Sequence, residues 1–145
     1  IVGNAGYLIS KIIYIKETNS KNFIILDAAM NDLLRPSLYG AQHEMLPIAQ
    51  QVNPGESETQ NIVDVVGPVC ETGDTFATNL VFPVVNQEEL LAICSTGAYG
   101  AVMSSTYNSR ALIPEVLVKN DNFSVIRERV GIDTLLDFET IPNWL

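Results

Sequence analysis

Tyr7-Leu8-Ile9-Ser10-Lys11-Ile12-Ile13-Tyr14-Ile15-Lys16-Glu17, then Thr18-Asn19-Ser20-Lys21-Asn22, then Phe23-Ile24-Ile25-Leu26 is the stretch that decides the fold class. β-Branched and aromatic residues dominate its first part, with Lys11 and Lys16 interspersed, so Gly6 to Glu17 predicts a long strand. The polar run from Thr18 to Asn22 reads as a turn. Phe23 to Leu26 is short and continuously apolar, as a buried strand is, and the two runs predict a hairpin that Asp27 ends.

Outward from that hairpin the same signals repeat. Strands are predicted at Met45 to Gln50, Asn61 to Val66, Thr75 to Val81, Leu90 to Cys94, Ala111 to Val118 and Phe123 to Glu128. Turn signals separate them at Asn53-Pro54-Gly55, Gly67-Pro68, Phe82-Pro83, Gly97 to Gly100 and Asn120-Asp121-Asn122. Many short strands with frequent turns imply an all-β, Greek-key-like barrel or sandwich, because a parallel α/β sheet needs a helix of ten or so residues between strands. Short helices are predicted only around Asn31 to Tyr39 and from Ile132 to Phe138. With no repeat, linker or low-complexity segment, residues 1–145 read as one domain.

The 145 residues are 47% hydrophobic and 17% charged, which fits one compact domain rather than a disordered or fibrous chain. No apolar run reaches the length of a membrane-spanning helix. Acidic residues outnumber basic ones 17 to 8, for a net charge of −9, which argues against nucleic-acid and membrane-surface partners. Cys70 and Cys94, with His43 as the one histidine, offer neither a disulfide framework nor a zinc site and read as reduced cytoplasmic thiols. The acceptor pattern at Asn122-Phe123-Ser124 lacks a secretory route. The start at Ile1, without Met or signal peptide, reads as a cut edge.

Three constellations could carry chemistry. In Arg35-Pro36-Ser37-Leu38-Tyr39, Pro36 suits the first turn of a helix, which would set Arg35 and Tyr39 on one side. An Arg fork beside a phenol suits a carboxylate or phosphate; a loop salt bridge is the plainer alternative. In Cys70-Glu71-Thr72-Gly73-Asp74, a thiol can deliver a proton and a carboxylate can hold an ammonium, while a strand-end turn with a buried, inert Cys and solvated acids is the competing reading. In Gly97-Ala98-Tyr99-Gly100, flanking glycines would present the Tyr99 phenol, an arrangement also common on ordinary surfaces. His43 reads as a loop or core residue. The acid pairs Glu88-Glu89 and Glu56-Ser57-Glu58 read as solvated turns.

In this order the constellations resemble the C-terminal domain of the diaminopimelate decarboxylases, pyridoxal-phosphate enzymes of the alanine-racemase-like group. The likeness runs from Asn4-Ala5-Gly6 through Tyr14-Ile15-Lys16-Glu17-Thr18, Asp27-Ala28-Ala29-Met30-Asn31-Asp32, Arg35-Pro36-Ser37-Leu38-Tyr39, Gly67-Pro68-Val69-Cys70-Glu71-Thr72-Gly73-Asp74, Gly97-Ala98-Tyr99-Gly100 and Met103-Ser104-Ser105 to Glu115-Val116-Leu117-Val118. It implies a two-domain enzyme whose N-terminal (β/α)8 barrel, absent here, binds pyridoxal 5'-phosphate through a lysine, and a homodimer with shared sites. It also implies that Arg35 and Tyr39 bind substrate carboxylate, that Cys70 is the proton donor, that Glu71 contacts the distal ammonium, and that Tyr99 reaches cofactor phosphate and substrate. Asp74 matches the motif, in a role that is structural or that supports the residues contacting substrate. Thr72 stands where Ser is usual, and Ser95-Thr96 where Asp-Ala is common. Glu71, where ornithine and arginine decarboxylases carry Asp, favours meso-diaminopimelate, giving L-lysine and CO2 in the cytoplasm. The remaining alternatives are a decarboxylase of another basic amino acid and a stand-alone acidic β module.

Overall fold

A computed structural model describes residues 1–48 and 60–145. The expected turn at Asn53-Pro54-Gly55, the acids Glu56 and Glu58, and the end of the strand expected over Met45 to Gln50 lie outside the described residues. Strands are β1 (Leu8–Glu17), β2 (Asn22–Leu26), β3 (Met45–Pro47), β4 (Gln60–Val66), β5 (Thr75–Pro83), β6 (Leu90–Ile93), β7 (Glu115–Lys119) and β8 (Asn122–Arg127). The helices α1 (Arg35–Tyr39) and α2 (Ile132–Leu136) have five residues each, and single 3₁₀ turns lie at Gly3–Ala5, Ala101–Met103 and Tyr107–Ser109. No described helix is long and apolar enough to cross a membrane. The mainly-β expectation with short helices is met.

Six strands form one sheet in the order β3-β6-β1-β2-β4-β5, and β7 and β8 form a separate pair. β1 serves both halves of the larger sheet. Its residues Leu8 to Lys11 pair with β6, while Ile12 to Glu17 pair with β2 in the expected hairpin. Leu8, Ser10 and Ile12 face inward at period two, until a bulge between Ile12 and Tyr14 inserts one residue and turns Ile15 toward the core instead. The sheet therefore curls into a half-barrel around Ile12, Ile24, Leu26, Leu33, Val65, Leu91 and Ile93.

Details depart from the sequence reading for identifiable reasons. β2 and β4 are parallel, so the chain crosses over between them through α1 and β3. Phe82-Pro83, expected as a turn, lies within β5, an edge strand where proline's missing N–H is tolerated. The strand expected over Ala111 to Val118 starts only at Glu115, because Pro114 interrupts the ladder; before it Leu112 makes one bridge to Val130. Ser10 is buried and accepts the Ala28 N–H at 3.0 Å while donating to the Asp27 carboxylate at 2.6 Å. Those bonds root the segment Asp27 to Asp32, which leads to α1, on β1.

Candidate active site

The segment Asp27 to Asp32 is bonded by the Cys70-Glu71 turn and by Ser105, and leads into α1. α1 follows it, with Pro36 in the first turn as expected and Gly40 ending the helix. Arg35 is half-buried and Tyr39 is 65% exposed, four residues apart on this single turn. Among the described residues neither the guanidinium nor the phenol has a hydrogen-bond or ion-pair partner. Among the described residues the loop salt bridge that was the alternative for Arg35 is not formed.

The second constellation is the turn between β4 and β5. Backbone bonds close it: Gly67 N–H donates to the Asp74 carbonyl at 2.9 Å, Glu71 N–H to that of Val69 at 2.8 Å, and Asp74 N–H to that of Glu71 at 3.0 Å. Gly67 is required by proximity, because a Cβ there would collide with the Asp74 carboxylate. That carboxylate is 3% exposed and accepts the Val69 N–H at one oxygen and the Met30 N–H at the other, both at 2.7 Å. Ser37 of α1 also donates to the Gly73 carbonyl. Cys70 and Glu71 stand exposed at the tip, and the Glu71 carboxylate accepts the Gly73 N–H at 3.2 Å. Cys94 is buried, and that burial, with Glu44 nearby, pushes its thiol pKa up; of the two cysteines only Cys70 is placed to react.

The third constellation follows β6. Gly97 packs so closely on the N-terminal 3₁₀ turn that its N–H donates to Gly3 at 3.1 Å and a Cβ would strike the Val2 carbonyl. Tyr99 adopts φ +61°, a left-handed conformation that costs an L residue about 1–2 kcal/mol, and its side chain is 62% exposed. The fold thus holds a bulky phenol outward at an energetic cost. Beyond it, Ser105 N–H donates to the Asn31 carbonyl at 2.9 Å and the Asn31 amide donates back to the Ser105 carbonyl at 3.2 Å.

The structure therefore ties the Cys70-Glu71 turn and the stretch beyond Tyr99 to the segment that leads into α1. It does not join the side chains: among the described residues no hydrogen bond links Arg35, Tyr39, Cys70, Glu71 and Tyr99 to one another. Sequence reasoning missed Asn31, Asp32, Ser37 and Arg110 as its framework. Arg110 donates to the Asp27 carbonyl at 2.5 Å and lies 3.7 Å from the Asp32 carboxylate. Burial raises the Asp32 carboxyl above its ordinary pKa, against the lowering effect of the Ala29 N–H and Arg110. A shallow cleft beside the β1–β2 turn, lined by Lys21, Asp64 and Asn79, holds none of the site residues, and Asp64 already engages Lys21. His43 is likewise occupied, its Nδ1 lying 2.8 Å from the Cys94 carbonyl.

The chain is similar to known proteins in sequence and in fold. The family described as "Pyridoxal-dependent decarboxylase, C-terminal sheet domain" matches residues 1–97. Diaminopimelate decarboxylase of Zymomonas mobilis is 48% identical over the whole chain, which covers 33% of that protein. The crystal structure of diaminopimelate decarboxylase from Helicobacter pylori complexed with L-lysine superposes with TM-score 0.83 at 41% identity, over 94% of this chain and 32% of that one. The enzyme of M. jannaschii, also complexed with L-lysine, gives TM-score 0.89 at 32% identity, over 99% and 32%. The chain thus spans about a third of the length of the relatives it matches.

Proposed function

Because the chain belongs to the pyridoxal-dependent decarboxylases, whose C-terminal sheet domain it carries, we propose that it serves as the C-terminal part of a diaminopimelate decarboxylase converting meso-diaminopimelate to L-lysine and CO2. The observation that carries this reading is that the Asp74 carboxylate of the Cys70-Glu71 turn and the carbonyl of Ser105, six residues beyond Tyr99, both bond to Asp27 to Asp32, the segment that runs into α1, while Ser37 of α1 reaches the Gly73 carbonyl.

Pyridoxal phosphate, when bound, supplies the electron sink that lets a carboxylate leave as CO2. The residues present fit a supporting part in holding it. Tyr99 offers an outward phenol for phosphate. The lysines do not fit a covalent part, since Lys11 and Lys21 are ion-paired with Glu88 and Asp64, and Lys16 and Lys119 lie on β1 and β7. A cofactor lysine would come from a barrel preceding this domain in the polypeptide. Arg35 and Tyr39 bind and orient a substrate carboxylate, for which the unpaired fork is matched. Glu71 holds the distal ammonium. Cys70 keeps a proton at Sγ and delivers it to the carbon that has lost CO2; positioned proton transfer of this kind is worth about 10²–10⁴-fold in rate.

The exposed apolar residues of β7, β8 and the C-terminal tail support the larger assembly, because a free-standing module would not leave them uncovered. The full enzyme is proposed to be a cytoplasmic homodimer with shared sites. The deciding experiment is Cys70→Ala in the full-length polypeptide assayed with meso-diaminopimelate. Turnover should fall by two orders of magnitude or more; near-normal rates would sink the proton-donor role, and a preference for ornithine or arginine would sink the substrate assignment.

A further inference from the structure

We propose that Asp74 is the positioning residue for Cys70, setting where the thiol stands relative to α1. This role rests on Cys70 being the proton donor proposed above. Three backbone hydrogen bonds already close the turn from Gly67 to Asp74, so the Asp74 side chain is not needed to form it. Only the carboxylate reaches out of the turn. One oxygen accepts the N–H of Val69, the residue before the thiol, and the other accepts the N–H of Met30, five residues before Arg35.

The chemistry of the side chain supports the same role. A buried carboxylate is costly, and among the described residues this one has no cationic partner. A neutral Asn has one acceptor oxygen and could hold only one of the two amides. Both acceptors are needed to join the two segments. Gly67 leaves room for the carboxylate to lie between them. Ser37, reaching from α1 to the Gly73 carbonyl, is a second, weaker tie across the same seam. The link spans 44 residues of sequence, so chain connectivity alone does not set this distance.

A double-mutant cycle in the full-length enzyme tests this. Asp74→Asn should lower kcat by about ten-fold or more, because a small misplacement of a reacting group is that expensive. In a Cys70→Ala background the same substitution should cost less than about two-fold, since residues acting as a unit are non-additive. Equal costs in the two backgrounds are what a merely structural role produces and would overturn the assignment. Ser37→Ala guards against a folding failure of Asp74→Asn. It leaves the buried carboxylate alone and should give a smaller loss of kcat that also disappears without Cys70; an additive loss counts against the seam. A silent Cys70→Ala removes the proton donor itself and this role with it. A severe Cys70→Ala with additive partners removes only the role of Asp74.

Discussion

In the half-barrel the side chains of Ile12, Leu26, Val65, Leu91 and Ile93 are fully buried, whereas in the β7–β8 hairpin and the tail beyond it Val118, Phe123, Phe138 and Trp144 stand in solvent. Both regions are rich in apolar residues, and no residue after Gly100 is buried. The difference lies in what each sheet can cover. Six curled strands enclose their own inner face, while two strands have no second layer to close against, and an isolated hairpin is marginal in water. The Leu112–Val130 bridge continues the hairpin at its base, and Arg110 just before it reaches Asp27. One region is thus complete, and the other leaves its apolar side chains uncovered.

The largest effect that could break this contrast is in the core. Leu26→Ala should destabilise the chain by about 2–5 kcal/mol in equilibrium denaturation, since it removes a fully buried side chain between strands that cannot collapse onto the space. A cost below about 1 kcal/mol would mean that the half-barrel is no better packed than the hairpin.

How much of this was legible in sequence follows from the range of each signal. The β1–β2 hairpin and the α1 turn are set by neighbours within a few residues, and they stand where those neighbours imply, whereas the local reading of a buried Cys70 is not met, since the thiol is exposed. The bulge that turns Ile15 inward is fixed by partners on two other strands, and the sequence around Ile13 has no mark of it. The parallel pairing of β2 with β4 and the ties Met30–Asp74, Asn31–Ser105 and Asp32–Arg110 join residues dozens of positions apart. Asp74 was legible as structural from its place in the motif, yet its reach to Met30 was not.

A smaller effect sharpens the comparison through pH. Asp64 lies on β4 within the half-barrel. Burial, the largest single influence, pushes its carboxyl up, but the Lys21 ammonium at 2.5 Å and the Asn79 N–H at 2.8 Å together hold it below its ordinary pKa. The folded state then binds the proton more weakly than the unfolded chain. Its stabilisation is present above the ordinary Asp range and is lost as pH falls through the lower folded value. Asp32 has the opposite sign: its raised pKa makes stability decline as pH rises from the ordinary value through the folded one. Thermal melts between about pH 3 and pH 7 should show Asp64→Asn costing about 1–3 kcal/mol near neutrality and flattening the acid limb. An unchanged acid limb would show that the Lys21 pair contributes nothing.

The smallest effect on the chain itself belongs to the hairpin. Phe123 on β8 is 77% exposed and opposes Val118 across the ladder, so Phe123→Ser removes little buried area and should change the chain's stability by no more than about 0.5 kcal/mol. On the proposed assembly the same substitution in the full-length polypeptide is expected to act differently, because there the hairpin would face the rest of the enzyme. A ring that becomes buried on that contact is worth about 1.5–3 kcal/mol, so the full-length variant should melt lower by several degrees while this chain does not. Equal, negligible shifts in both would mean that Phe123 stays in solvent in the assembled enzyme, and the uncovered surface would then have to be sought on the tail around Phe138 and Trp144 instead.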